Sequence, residues 1–105
     1  MKEHINGKIR NTIYNLMRDL GYHFQGQDEK TKELGFARPK TGYPRLHLFI
    51  KTEEGGLTFS LHLDQKKPIY DGATAHAGDY DSPVVEREMA RIKQYIVIEG
   101  QTDKN

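Results

Sequence analysis

The stretch from residue 45 to residue 64 alternates apolar and polar side chains, and this pattern constrains the fold more than any other feature. The apolar positions are Leu46, Leu48 and Ile50 in its first half and Leu57, Phe59, Leu61 and Leu63 in its second half. A period of two is typical of strands that bury one face. Residues 53–56, Glu-Glu-Gly-Gly, have the length of a hairpin loop. The pattern therefore predicts two long antiparallel strands joined by a short turn.

The pairing register of this hairpin can be predicted, because both apolar sets must lie on the same face of the sheet. A four-residue loop sets Thr52 opposite Leu57, and all other pairs follow from it. The resulting core pairs are Leu48 with Leu61 and Ile50 with Phe59. On the other face, His47 lies opposite His62 and Arg45 lies opposite Asp64.

Two further segments have the spacing of amphipathic helices. The first is predicted to run from about Glu3 to Leu20, with a stripe formed by Ile5, Ile9, Ile13, Leu16 and Leu20. The second begins at Ser82-Pro83, a capping residue followed by proline at the first helical position, and its stripe is Val85, Met89, Ile92 and Ile96. Short strands are predicted at 22–25 and 34–37, and a long loop at 65–81.

These elements predict an α+β domain with the order helix, three- or four-stranded antiparallel meander, long loop and C-terminal helix. Both helices are expected on one face of the sheet. We expect residues 1–98 to form a single domain and residues 99–105 to form a frayed tail. The chain has 105 residues and a net charge of +1, values typical of one globular domain and not of a disordered chain.

Composition also limits the possible classes of function. The chain has no cysteine, which excludes disulfides, thiol catalysis and cysteine-based zinc sites. No signal peptide or membrane-length apolar run is present, so we expect a cytoplasmic protein that does not bind within a membrane. No cofactor is required by any motif.

The face opposite the predicted helices would display basic and aromatic side chains. Its centre is Arg45, His47, Phe49 and His62. Basic groups meet phosphates and aromatic rings stack on unpaired bases, although the balanced charge argues against a dedicated polyanion-binding protein. We favour a non-catalytic binding module whose open sheet face contacts a partner protein or nucleic acid.

The alternative is a small metal-assisted or acid–base hydrolase, such as a nuclease, built on a histidine cluster. Histidines directly opposite on antiparallel strands are close enough to share one divalent metal ion. The candidate ligands are His47, His62 and His76, with Asp64 and Asp79 as oxygen donors. His76 lies among glycines and alanines, where Asp79 or Asp81 could orient it for proton transfer. A solvated pair of strand histidines without a metal explains the same spacing.

The stretches 60–68 (SLHLDQKKP) and 76–81 (HAGDYD), followed by Val85-Glu86, resemble a group of short uncharacterised bacterial proteins. The resemblance covers roughly the C-terminal half of the chain. It implies a bacterial cytosolic origin, and it assigns neither a function nor any site residue.

Overall fold

The computed structural model describes residues 1–7, 12–65, 78–79 and 81–97, with the backbone alone at 78–79. Its elements are β1 (Lys2–Asn6), α1 (Ile13–Asp19), β2 (His23–Gln27), β3 (Leu34–Arg38), β4 (Arg45–Glu53), β5 (Gly56–Asp64), β6 (Gly78–Asp79) and α2 (Pro83–Tyr95). The fold is α+β, as the sequence predicts.

The strands form one antiparallel sheet in the order β1-β5-β4-β3-β2. Strands β2 to β5 are the predicted meander, and β1 adds a fifth strand along the outer edge of β5. The two-residue β6 pairs with Leu63 and Asp64 of β5, beyond the end of β1 and within the stretch that we predicted as a loop. A bulge in β2 between Phe24 and Gly26 shifts the register of that strand against β3.

The predicted register of the β4–β5 hairpin is confirmed pair by pair. His47 lies opposite His62, and Arg45 lies opposite Asp64. The turn itself is tighter than predicted, because Glu53 and Gly56 already pair and only residues 54 and 55 connect the strands. This frame fixes which side chains share the face opposite the helices.

The N-terminal part of the first predicted helix is wrong. Residues Lys2–Asn6 form a strand that pairs with β5, and the helix begins only at Ile13. Ile5 fits the helical stripe, but it is equally suited to a strand, where it is buried opposite Leu57. Gly7 has a positive φ of 103°, so a right-handed helix cannot continue through it.

Both helices pack on the same face of the sheet, as predicted. One core cluster contains helix residues Leu16, Met17, Leu20, Val85, Met89, Ile92 and Ile96 together with sheet residues Ile5, Phe36, Leu48, Ile50, Leu57, Phe59 and Leu61. The sheet residues in this list all come from one set of alternating positions, so the other set is left to form a second face.

The start of α2 has the predicted cap, and a glycine follows the end of α1. Ser82 caps α2 by accepting a hydrogen bond from the Val85 amide, and Pro83 is its first helical residue. Helix α1 ends at Asp19, with Leu20 as its C-cap, and the next residue, Gly21, has a φ of +94°. The amides of Gly21 and Tyr22 donate to the carbonyls of Arg18 and Met17, which is a Schellman motif.

Several predictions concern residues outside the described part of the chain. These are Ile9 of the helical stripe, most of the predicted loop 65–81 including His76, and the tail 99–105. The boundary between a domain at 1–98 and the tail stays a prediction. Within the described residues, no helix is long and apolar enough to cross a membrane.

Candidate metal centre on the sheet face opposite the helices

The central feature of the face opposite the helices is a cluster of His47, His62 and Asp64. Strand β4 supplies His47, and neighbouring β5 supplies the other two residues two positions apart on one face. The Asp64 carboxylate lies between the two rings: its Oδ2 is 3.0 Å from His47 Nδ1 and its Oδ1 is 2.9 Å from His62 Nε2. One carboxylate therefore bridges two imidazoles.

The hydrogen bonding of this cluster assigns the ring protons. A carboxylate oxygen accepts hydrogen bonds, so His47 donates through Nδ1 and His62 donates through Nε2. One ring nitrogen of each histidine and one oxygen of Asp64 lie within 4.8 Å of one another. A metal ion at this position would replace both protons.

The spacing of these atoms matches what a small divalent ion requires. Metal bonds of about 2.0–2.2 Å at tetrahedral angles place neighbouring ligand atoms about 3.4 Å apart. The observed nitrogen–oxygen distances of 3.0 and 2.9 Å are a few tenths of an ångström shorter. The two distances go to different oxygens of Asp64, so metal binding would require side-chain rotations that turn both nitrogens and the carboxylate toward one point.

The pKa of His62 favours the neutral ring that a metal needs. Burial lowers this pKa from its ordinary 6.5, the Asp64 carboxylate raises it, and His47 lowers it again; the net shift is downward. His62 therefore offers an uncharged imidazole around neutral pH, despite its acidic neighbour.

Phe49 holds the cluster from the side. Its ring stacks on His47 with centroids 4.9 Å apart and lies nearly parallel to His62 at 6.0 Å. The Phe49 ring also reaches over Gly35 of β3, where an added β-carbon would lie 3.4 Å from it. The packing limits exposure of the side chains to 20% for His47 and 17% for His62, so the face is less open than predicted.

A shallow pocket of about 290 Å³ adjoins the cluster beside Phe49 and His47. It forms where β2 bulges, and Gly26 and Gly35 line it. Gln25, Gln27, Asp28 and Glu33 supply its polar groups. We did not predict this pocket; the two glycines, which pair with each other across β2 and β3, are the sequence signal that marks it.

Arg45 lies at the other end of the cluster. Its Cα is the register partner of Asp64, and it precedes His47 by two residues on the same face. No ion pair joins Arg45 to Asp64 within the described residues, since both carboxylate oxygens of Asp64 face the histidines. The guanidinium instead lies over the Tyr43 ring, 5.0 Å from its centroid.

The structure thus brings together three of the five predicted metal ligands. His76 lies outside the described residues, and for Asp79 the backbone alone is described, paired with Leu63 beside the cluster. The predicted binding residues Arg45, His47, Phe49 and His62 share one face and one neighbourhood.

No family model, curated protein or solved structure is significantly similar to this chain.

Proposed function

We propose that this domain binds a divalent metal ion through His47, His62 and Asp64 and uses it for metal-assisted hydrolysis. The observation that carries the proposal is the Asp64 carboxylate, which lies 3.0 Å from one imidazole nitrogen and 2.9 Å from another. Two imidazoles and one carboxylate suit zinc and related ions, and the three ligands found within the described residues would leave a fourth position for water.

That open position supports hydrolysis over a purely structural role. Structural zinc sites are closed by four protein ligands, whereas catalytic sites keep one position for water. A divalent ion lowers the pKa of its water so that hydroxide forms near neutral pH. The hydroxide oxygen would bond to the electrophilic centre of the substrate, and the departing group would leave with a proton.

The setting that we propose is the bacterial cytoplasm. This rests on the resemblance of residues 60–68 and 76–81 to short bacterial proteins. A site made of nitrogen and oxygen ligands, in a chain without cysteine, needs no particular redox environment.

The binding-module hypothesis for the same face stays a prediction. Phe49 suggested it, because an aromatic residue in the middle of a strand face would be unusual unless a partner covered it. The Phe49 ring is half-buried against His47 and His62, so the side chains of the cluster already account for it.

Metal titration followed by NMR tests the proposal directly. Zinc and manganese chloride are added to chelator-treated protein, and the ring resonances of all histidines are observed. We expect saturable, coincident changes at His47 and His62 at micromolar metal: shifts with zinc and line broadening with paramagnetic manganese. The variant His62→Gln should bind at least about tenfold more weakly, because removal of a ligand leaves only two.

His23→Gln is the matched control, because His23 is an exposed histidine on the edge strand β2, two strands away from His47. It should bind metal like the wild type. If His62→Gln and the wild type gave the same titration curve, or if all histidines responded equally without saturation, the proposed site would be wrong. Hydrolysis of phosphate and carboxylate esters by the metal-loaded protein is then measured, with His62→Gln as the inactive reference.

A further inference from the structure

We infer that Arg45 makes the proposed metal centre a site for phosphate-bearing ligands. The inference rests on the proposed function, since it names the class of substrate that the same site would take. Its starting point is Arg45 Nε, a buried nitrogen that has no hydrogen-bond partner within the described part of the chain. Buried N–H groups of native proteins are nearly always paired, so an unpaired one at the edge of a site indicates a missing acceptor.

Arg91, which is half-buried like Arg45, is paired, and so is the exposed Arg38; Arg45 differs from both in this respect. Arg91 donates to both carboxylate oxygens of Glu88 and to the Leu20 carbonyl. Arg38 lies 3.6 Å from the same carboxylate. Asp64 lies directly opposite Arg45 in the register, but its carboxylate contacts the two histidines instead.

The position of the guanidinium fits a ligand that also reaches the metal. Arg45 is two residues from His47 along β4 and directly across from Asp64, so it flanks two of the three proposed metal ligands. The Tyr43 ring packs against the guanidinium, with the Arg45 Cζ atom 5.0 Å from the ring centroid, and helps to hold it at this end of the cluster.

A guanidinium beside a divalent metal ion is a pair of cations that favours phosphate as the ligand. A guanidinium donates two parallel hydrogen bonds to the oxygens of one phosphate, and a divalent ion binds a further oxygen of the same group. Together they would neutralise the charge that develops on a phosphate ester during hydrolysis. The pocket on the other side of His47 and Phe49 contains the carboxylates of Asp28 and Glu33. Because these carboxylates would repel a phosphate, that pocket would hold the uncharged part of the ligand.

The test is a titration of inorganic phosphate into zinc-loaded and zinc-free protein, with acetate as the comparison anion. The Nε–H resonance of Arg45 reports binding in a ¹H–¹⁵N spectrum, and calorimetry gives the affinities for zinc and for phosphate separately. We expect phosphate to shift this resonance in the zinc-loaded protein and to bind more tightly than acetate.

Arg45→Gln should weaken phosphate binding by about tenfold or more, which corresponds to about 1.4 kcal/mol, and should change zinc affinity by less than about twofold. Arg45→Lys keeps the charge but loses the paired hydrogen bonds, so it should give an intermediate affinity. Lys51→Gln is the matched control, because Lys51 is an exposed cation on the same face of β4. It should leave both affinities unchanged.

The outcomes separate the two proposals. Failure of zinc to bind would contradict the proposed function. In that case the titration of zinc-free protein tests Arg45 alone. A shift of the Arg45 Nε–H resonance with phosphate would support an anion site at Arg45, and no shift would overturn that site. If zinc binds but Arg45→Gln binds phosphate like the wild type, or acetate binds more tightly than phosphate, the inference about Arg45 is wrong.

Discussion

At the scale of single residues, the most connected polar side chain outside the proposed site is Glu88. It is buried, with 8% of its surface exposed. It accepts a hydrogen bond of 2.6 Å from the Tyr22 hydroxyl and two from Arg91. Burial raises the pKa of its carboxyl, but the hydrogen bonds from Arg91 and Tyr22 outweigh burial and the net shift is downward. The network joins α2 to the segment that follows α1.

We predict that Glu88→Gln lowers the free energy of unfolding by about 1–3 kcal/mol, because Tyr22 and Arg91 lose a charged acceptor. The substitution preserves size, so the loss comes from charge and hydrogen bonding. The wild type should also lose stability as the pH falls below 4.5, the ordinary pKa of this group, since the unfolded state takes up the proton first. Urea unfolding at pH 7 and at pH 3.5 measures both effects.

Glu86→Gln is the control for this experiment, because Glu86 is an exposed glutamate in the first turn of the same helix. Its substitution should change stability by less than about 0.5 kcal/mol. A difference between pH 7 and pH 3.5 that was as large in Glu88→Gln as in the wild type would show that other carboxyl groups cause the acid sensitivity.

At the scale of elements, docking of β1 depends on the absence of a side chain at residue 56. Gly56 pairs with Asn6, and a β-carbon at Gly56 would overlap the carbonyl oxygen of Ile5. The backbone of β1 is thus too close to β5 for any residue except glycine at this position.

We predict that Gly56→Ala displaces the end of β1 and lowers the free energy of unfolding by about 2–4 kcal/mol, part of it from exposure of Ile5. Hydrogen exchange should show faster exchange of the Gly7 amide, which bonds to the Gly55 carbonyl. Gly35→Ala is the comparison, because its β-carbon would make an ordinary contact of 3.4 Å with Phe49. Equal effects of the two substitutions would contradict this account.

Elements also show what the sequence could and could not predict. The β4–β5 hairpin was predictable to the residue, because both strands alternate cleanly and share one buried face. Strand β1 was not, since a single apolar residue, Ile5, satisfies a helical and an extended pattern alike. In the site, the register predicted that His47 lies opposite His62. The position of the Asp64 carboxylate between the two rings depends on side-chain rotamers, which residue spacing in the sequence does not determine.

At the scale of the whole molecule, protonation of the site should be linked to folding and to metal binding. The pKa of His62 is lower in the folded chain than its ordinary 6.5, mainly because of burial. The unfolded chain therefore binds this proton more readily, and stability is lost as the pH falls from about 6.5 through the folded-state pKa. A protonated imidazole has no lone pair for a metal, so metal affinity should fall over the same range.

We predict that chelator-treated wild-type protein loses stability between pH 7 and pH 5, and that His62→Gln loses clearly less over that interval. Thermal unfolding in a series of buffers measures this, and His4→Gln, on the same face of the sheet in β1, is the control variant. An identical pH dependence in His62→Gln and the wild type would contradict the assigned role of burial at His62.

The two-residue turn between β4 and β5 has a consequence for how such a site can be gained or lost. Residues 54 and 55 lie about 20 Å from His47 along the strand. One inserted residue there would shift the pairing register of β4 and β5 by one position. Either one strand would then turn its polar face toward the core, or His47 would lie opposite a different residue. The length of this distant turn therefore matters as much to the site as the ligands themselves. A one-residue insertion in the turn would disrupt the metal centre even though His47, His62 and Asp64 were all still present.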